Sequence, residues 1–337
     1  VKNKIIWAVD PTQDVQETKK IVTEMKTWAK ELQSEILPIA VISQFPSSSA
    51  FVNSLKTNLS MQELSQRALK KYLKKMNLGD CLPPKIVFTT SLSNRKKALL
   101  LAEEAEKQSA TLIFANTQAK PAWRRFRLGG FAETLIAISK IPVMLFNSTA
   151  LPSKKLSPVL FPTDFSSYSK NALQKLMPWA KAFDAKILIY NRIEDPRVYS
   201  SELAGFYQYP IDSESFYKHT RKAMQASADK LLRSCKQQGV LAMSLIEQDK
   251  KSLAEDIVRA AAKNKASLIA LSSTSGRAAQ VLIGSVARDV LLLAKCPVLV
   301  LFRPQKPKQK HIRSRIAENT TAVLTPGLSH PEVHSTR

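Results

Sequence analysis

The sequence predicts an α/β protein made of two copies of one unit, each a five-stranded parallel sheet flanked by helices. Three observations carry that reading. Short apolar, β-branched runs alternate with amphipathic helical stretches. The same order of elements is traversed twice, and short residue strings recur at matching places in the two passes. Such alternation requires parallel strands joined by right-handed crossovers, with helices over both faces of the sheet.

In the first pass, residues 4–10 (KIIWAVD) predict a buried strand and 15–33 a helix in which Ile21, Met25, Trp28 and Leu32 share a face. Strand 35–43, helix 61–77, strand 85–91, helix 94–109 and strand 111–116 follow. A last helix begins near Gly129 and leads into strand 142–147. The second pass predicts strand 158–164, helix 168–184 and strand 185–192, then a looser stretch through Pro210. Helix 213–238, strand 240–248, helix 251–264, strand 267–272, helix 283–295 and strand 297–302 complete it. The apolar runs are short and bounded by Pro, Asn, Ser or Asp, as buried parallel strands require.

Residues repeat as well as elements. Trp28-Ala29-Lys30 matches Trp179-Ala180-Lys181, each just before a strand, so the two tryptophans are expected in core or inter-domain packing. Gly129-Gly130-Phe131-Ala132-Glu133 resembles Gly284-Ser285-Val286-Ala287-Arg288, and in both a proline thirteen positions after the first glycine (Pro142, Pro297) opens the final strand. The expected division is a domain over 1–148, a linker at 149–157, a second domain over 158–302 and a basic tail at 303–337. The tail lacks hydrophobic periodicity and is expected to be disordered.

Composition narrows the classes of function. The 337 residues include 51 Lys and Arg against 27 Asp and Glu, a net charge of +24, with 44% hydrophobic residues. Each half can bury a core, and a collagen-like, wholly disordered or disulfide-stapled chain is excluded. Three dispersed cysteines (Cys81, Cys235, Cys296) give neither a disulfide framework nor a zinc motif and suit a reducing compartment. The opening apolar run reaches Asp10 too early for a signal core. Arg288, Asp289 and Lys295 interrupt 281–302, so no membrane span is expected and the localisation expected is cytoplasmic. Residues 1–150 carry 22 Lys and Arg against 12 Asp and Glu, and 151–302 carry 22 against 13, so neither half is a dedicated basic module.

The strings FPTDFSSYSKNAL (161–173) and GRAAQVLIGSVARDVLLLAKCPVLVLF (276–302) resemble the two ends of a universal stress protein domain. Asp10, Gly129 and KIPVMLF give the first half a fainter version of the same pattern, so the resemblance spans 1–302 as a tandem of two domains. It implies two Rossmann-like domains of the adenine nucleotide alpha hydrolase-like type and a non-enzymatic role in stress response. It also implies regulation through protein partners, and fifth strands that meet in an internal pseudo-dimer.

The resemblance further implies a nucleotide cleft with ATP as an optional, weakly held ligand. Family members that bind ATP use a glycine, two residues, a second glycine, nine residues, then Gly-Ser or Gly-Thr, because close approach of backbone N–H groups needs glycine and a helix start. In the second domain Pro162 and Asp164 match the adenine end, Ser273 replaces the first glycine, Gly276 is the second, and Gly284-Ser285 closes a spacing two residues short. Arg192 stands where a small apolar residue would line the base. In the first domain Asn116 and Ala119 replace both glycines, and this domain is expected to be structural. Its following loop carries Lys120, Arg124, Arg125 and Arg127 with Trp123 and Phe126, suited to a polyphosphate, a nucleic-acid backbone or an acidic partner, or else a solvated surface. Asp10 and Asp164 fit nucleotide or helix-cap hydrogen bonding better than acid catalysis. The alternative function is a basic protein that binds nucleic acid or an anionic surface; a slow ATPase is the third reading and requires nucleotide binding first.

Overall fold

In the computed structural model, residues 2–44, 60–117, 130–146, 150, 156–194, 213–249, 251–272 and 284–301 are described, Ser213 by its backbone alone. They belong to one compact unit, Val1–Pro304. The first copy runs β1 (Lys4–Ala8), α1 (Val15–Glu31), β2 (Glu35–Ser43), α2 (Met61–Met76), β3 (Lys85–Thr89), α3 (Asn94–Lys107), β4 (Ala110–Asn116), α4 (Gly130–Ile138) and β5 (Val143–Phe146). The second runs β6 (Val159–Pro162), α5 (Ser167–Ala182), β7 (Ile187–Ile193), α6 (Ser213–Gln237), β8 (Ala242–Gln248), α7 (Leu253–Lys263), β9 (Leu268–Ser272), α8 (Ser285–Leu293) and β10 (Val298–Leu301). The basic loop around Arg124 and the tail at 303–337 lie outside the described residues.

Four of the helices begin where a side chain accepts from an orphan backbone N–H. Asp14 caps α1, Ser60 and Ser252 form capping boxes with Glu63 and Glu255 at α2 and α7, and Ser166 caps α5. The tight turns from helix into strand need a left-handed residue, and they occur at the same places in both copies without glycine. Gln33 and Asp184 have φ of 48° and 47°, and Ser109 and Lys265 have 52° and 51°. These turns shorten three expected helices: α1 ends at Glu31, α3 at Lys107 and α5 at Ala182.

All ten strands form one sheet in the order β3-β2-β1-β4-β5-β10-β9-β6-β7-β8. Each half is parallel and doubly wound; only β5 and β10 run antiparallel, with Met144 opposite Leu299. Those two residues are equivalent in the repeat, so a pseudo-twofold axis passes between them, and the two open sheet edges cover each other.

One face of the sheet packs under α1, α2, α5 and α6, through Met25, Trp28, Leu69, Leu176 and Leu231 among others. The opposite face packs under α3, α4, α7 and α8, through Leu101, Leu135, Ile257 and Val290. At the axis on the first face, Trp28 meets its repeat equivalent Trp179 edge-on, with ring centroids 5.6 Å apart, and Phe183 at 4.7 Å. The inter-domain role expected of the two tryptophans is therefore realised by contact with each other. On the second face, Arg288 pairs with Glu133, and these positions are also repeat equivalents. No helix among the described residues is long and apolar enough to cross a membrane.

Candidate functional site

In an open α/β sheet, ligands bind beyond the carboxyl ends of the strands where the strand order reverses. That place lies between β1 and β4 in the first copy and between β6 and β9 in the second. The first holds a cleft of about 260 Å³. Ile39, Val41, Leu101 and Phe131 give it apolar walls. Asp10, Gln13, Asn116 and Thr117 supply polar groups, and Lys97 a cation.

Local hydrogen bonds fix the polar floor. Asp10 Oδ1 accepts from the Thr12 N–H (2.9 Å) and hydroxyl (2.7 Å), forming a turn just past β1. Asn116 Nδ2 donates to Gln13 Oε1 at 3.2 Å, and the Thr117 hydroxyl donates to the Phe146 carbonyl at 3.0 Å. The cap of α1 is Asp14 rather than Asp10, so the strand-end carboxylate belongs to the cleft floor and not to the helix.

Strand register gives the equivalent places in the second copy. The Val9 N–H donates to the Ile39 carbonyl as that of Thr163 does to the Tyr190 carbonyl, both at 2.9 Å. Ala8 thus corresponds to Pro162, Asp10 to Asp164, Ile39 to Tyr190 and Val41 to Arg192. The larger pair changes the site. Arg192 Nη1 donates to Asp256 Oδ2 (3.1 Å) and to the Lys251 carbonyl (2.9 Å), and Nη2 pairs with Glu194 at 3.5 Å. Asp256 is fully buried and also accepts from Arg259 at 2.6 Å, and Arg259 reaches Glu247 at 3.4 Å. The Tyr190 hydroxyl is buried with no hydrogen-bond partner among the described residues. Burial, helped by the Asp256 and Glu247 carboxylates, pushes its pKa up to about 12. Where the first copy has two aliphatic walls, the second has an ion-pair network and a buried phenol.

Of the residues singled out in the second domain, Pro162 ends β6 and Asp164 lies two residues beyond it. Burial opposes ionisation of Asp164, but hydrogen bonds from Ser166 and Ser169 outweigh it and hold the carboxyl below its ordinary pKa. Gly284 is the N-cap of α8 and Ser285 its first residue; the cap offers no side-chain hydrogen bond, and among the described residues a Cβ at Gly284 would meet nothing within 4 Å. Ser273 and Gly276 lie outside the described residues. The motif spacing puts Asn116 opposite Ser273. Register makes it the counterpart of Ser272, because the segment from there to the following glycine is one residue shorter in the second copy.

Sequence reasoning did not single out Val41, Lys97 or Phe131. For Val41 a signal existed: aligning β2 with β7 pairs it with Arg192 and leaves the small apolar residue in the first copy.

The two halves of the chain match the universal stress protein family over residues 3–147 and 155–301. The chain belongs to that family. A universal stress protein of Methanocaldococcus jannaschii is 29% identical over 151 residues, 44% of this chain and 83% of that protein. Among solved structures, a universal stress protein of Archaeoglobus fulgidus superposes over 89% of this chain and 98% of its own with a TM-score of 0.60 at 16% identity. One from Pseudomonas aeruginosa covers 90% of this chain and 94% of its own, with a TM-score of 0.54 at 14% identity. Those likenesses extend the fold across both copies.

Proposed function

We propose that this chain is a non-enzymatic, cytoplasmic stress-response protein that acts through protein partners, with 149–157 linking its two domains, and that it holds an adenine nucleotide in the N-terminal cleft. The observation that carries the nucleotide reading is the divergence at one register position, Val41 in the lining of the N-terminal cleft against Arg192, paired with Asp256, in the second copy. A volume of about 260 Å³ lies just below the usual range of small-molecule pockets, roughly 300–1,000 Å³, which suits a base with its sugar. Ile39 and Val41 offer the base an apolar wall, Asp10 offers the sugar hydroxyls an acceptor, and Lys97 offers phosphate a counter-charge.

Gly284 favours a second reading, in which ATP occupies the C-terminal site built from Pro162, Asp164, Ser273, Gly276, Gly284 and Ser285. A helix start without a side-chain cap, and with no described residue within 4 Å of a Cβ at its glycine, is suited to an anion. Thermal shift with millimolar ATP on the wild type, Val41→Arg and Gly284→Trp separates the two. N-terminal binding predicts a rise of several degrees that Val41→Arg removes and Gly284→Trp preserves, since ligand at about 100 times its Kd adds roughly 2.7 kcal/mol. The reverse pattern moves the nucleotide to the C-terminal copy, and no rise in the wild type sinks both readings.

A further inference from the structure

The net charge is shared evenly between the two halves of the sequence but not between the two faces of the sheet. Helices α1, α2, α5 and α6 together carry 18 Lys and Arg against 6 Asp and Glu, a net +12. Helices α3, α4, α7 and α8 carry 7 against 7. Sixteen of the 18 cations on the first layer are exposed, and α2 alone presents Arg67, Lys70, Lys71, Lys74 and Lys75 to solvent.

The ion pairs show the same asymmetry. Glu104, Glu106, Glu133, Asp256 and Glu247 hold cations on the other side or at the sheet edges, whereas none of the exposed cations of the first layer forms a salt bridge among the described residues. Like charges at this density repel one another and are held there by the fold. A surface of this kind is complementary to a regular array of negative charge.

We infer that the α2-α1-α5-α6 face is a docking surface for the phosphate backbone of double-stranded nucleic acid. Four helices abreast at 8–10 Å spacing make a face about 30–40 Å wide. The 25-residue α6 extends it to about 37 Å in length. About 30 Å of duplex laid along this face carries some 18 phosphates on its two strands, at one charge per ~1.7 Å of axis, and those on the facing side lie against the cations. The chemistry selects duplex over the other polyanions. Stacking of single-stranded bases needs exposed aromatic rings, and membrane docking is strengthened by insertable apolar side chains. Among the exposed large hydrophobic residues only Tyr168 belongs to these four helices, while Phe216 and Tyr217 of α6 are half-buried and pack on each other. Fifteen of the 18 cations are lysines, point charges suited to positioning on the backbone rather than to bidentate reading of bases.

The test is fluorescence anisotropy of the full chain on a labelled mixed-sequence duplex from about 50 to 200 mM salt. Two triple variants remove the same charge from opposite faces: Lys19→Glu with Lys70→Glu and Lys230→Glu on the proposed face, and Arg95→Glu with Lys96→Glu and Lys107→Glu on the other. Circular dichroism checks that both fold. The first triple should weaken binding more than about tenfold at 50 mM salt and flatten the log–log salt slope by about 3, one for each phosphate that the variant no longer neutralises. The second should change affinity by less than about threefold. Equal weakening by both triples would overturn the assignment to this face and reduce the effect to overall charge. Absence of duplex binding at low salt overturns the proposal, and so does tighter binding to phosphatidylserine vesicles than to the duplex.

Discussion

The two copies share strand order, left-handed turns and a Trp-Ala-Lys helix end, yet at the carboxyl edge of the sheet they have become different objects. In the N-terminal copy, Ile39 and Val41 line a cleft above Asp10. In the C-terminal copy, Tyr190 and Arg192 occupy those register positions, and the guanidinium is tied to the fully buried Asp256. The residue equivalent to Asp256 in the first copy is Leu100, counted from the paired turns at Ser109 and Lys265. A backbone shared by both copies thus supports an aliphatic cleft or a buried ion pair, depending on two side chains that face each other from β7 and α7. The difference teaches that the frame of the unit is set by turns and core, whereas pocket chemistry is set by a few strand-end residues that the frame does not constrain.

The same divergence appears at the seam. Trp28 and Trp179 are equivalent, but Trp28 is fully buried, donates from Nε1 to the buried Glu24 at 3.1 Å, and packs edge-on against Phe114 as well as Trp179. Trp179 is only partly buried. Trp28→Ala should therefore destabilise the protein by about 3–5 kcal/mol and Trp179→Ala by about half as much in denaturant titrations. Equal destabilisation would mean that the pseudo-twofold contact is symmetric in energy as well as in sequence.

A smaller effect, about 2–3 kcal/mol, is expected for Arg192→Val, which removes one cation from Asp256 and keeps its pair with Arg259. Adding Asp256→Leu gives the second copy the first copy's pair of residues and should recover most of the stability, since an apolar pair of similar volume replaces a buried ion pair at little cost. Failure of the double variant to recover would show that the network is coupled beyond these two residues.

The weakest term is the pair Glu133–Arg288, whose side chains are 34% and 42% exposed. Because equivalent positions carry opposite charges, Glu133→Arg places two cations at the axis and should cost about 0.5–1 kcal/mol, while the swap with Arg288→Glu should restore stability. A swap that restores nothing would assign the effect of the single variant to packing.

Much of the fold was legible because periodicity and turn chemistry act locally. The stretch 35–43 reads as a strand and is one, residue for residue. The predicted run 4–10 overshoots: β1 ends at Ala8, where the ladder stops although the Val9 N–H still bonds to Ile39. The β5–β10 seam followed from the need to cover two sheet edges, and coordinates supplied its register through Met144 and Leu299. The cleft was harder to read. Glycine spacing drew attention to the C-terminal copy, but what Arg192 does there depends on its finding Asp256, 64 residues away in the chain.

Apolar period, capping residues and repeated strings determined on their own that the chain is a duplicated, doubly wound α/β unit, because each of those signals acts over one or two helical turns. Which side chain meets Arg192 in the second copy, and the excess of cations on one side of the sheet, were decided only in three dimensions. Right-handed crossovers send α1, α2, α5 and α6 to one face and their counterparts to the other. A count along the chain averages over that partition.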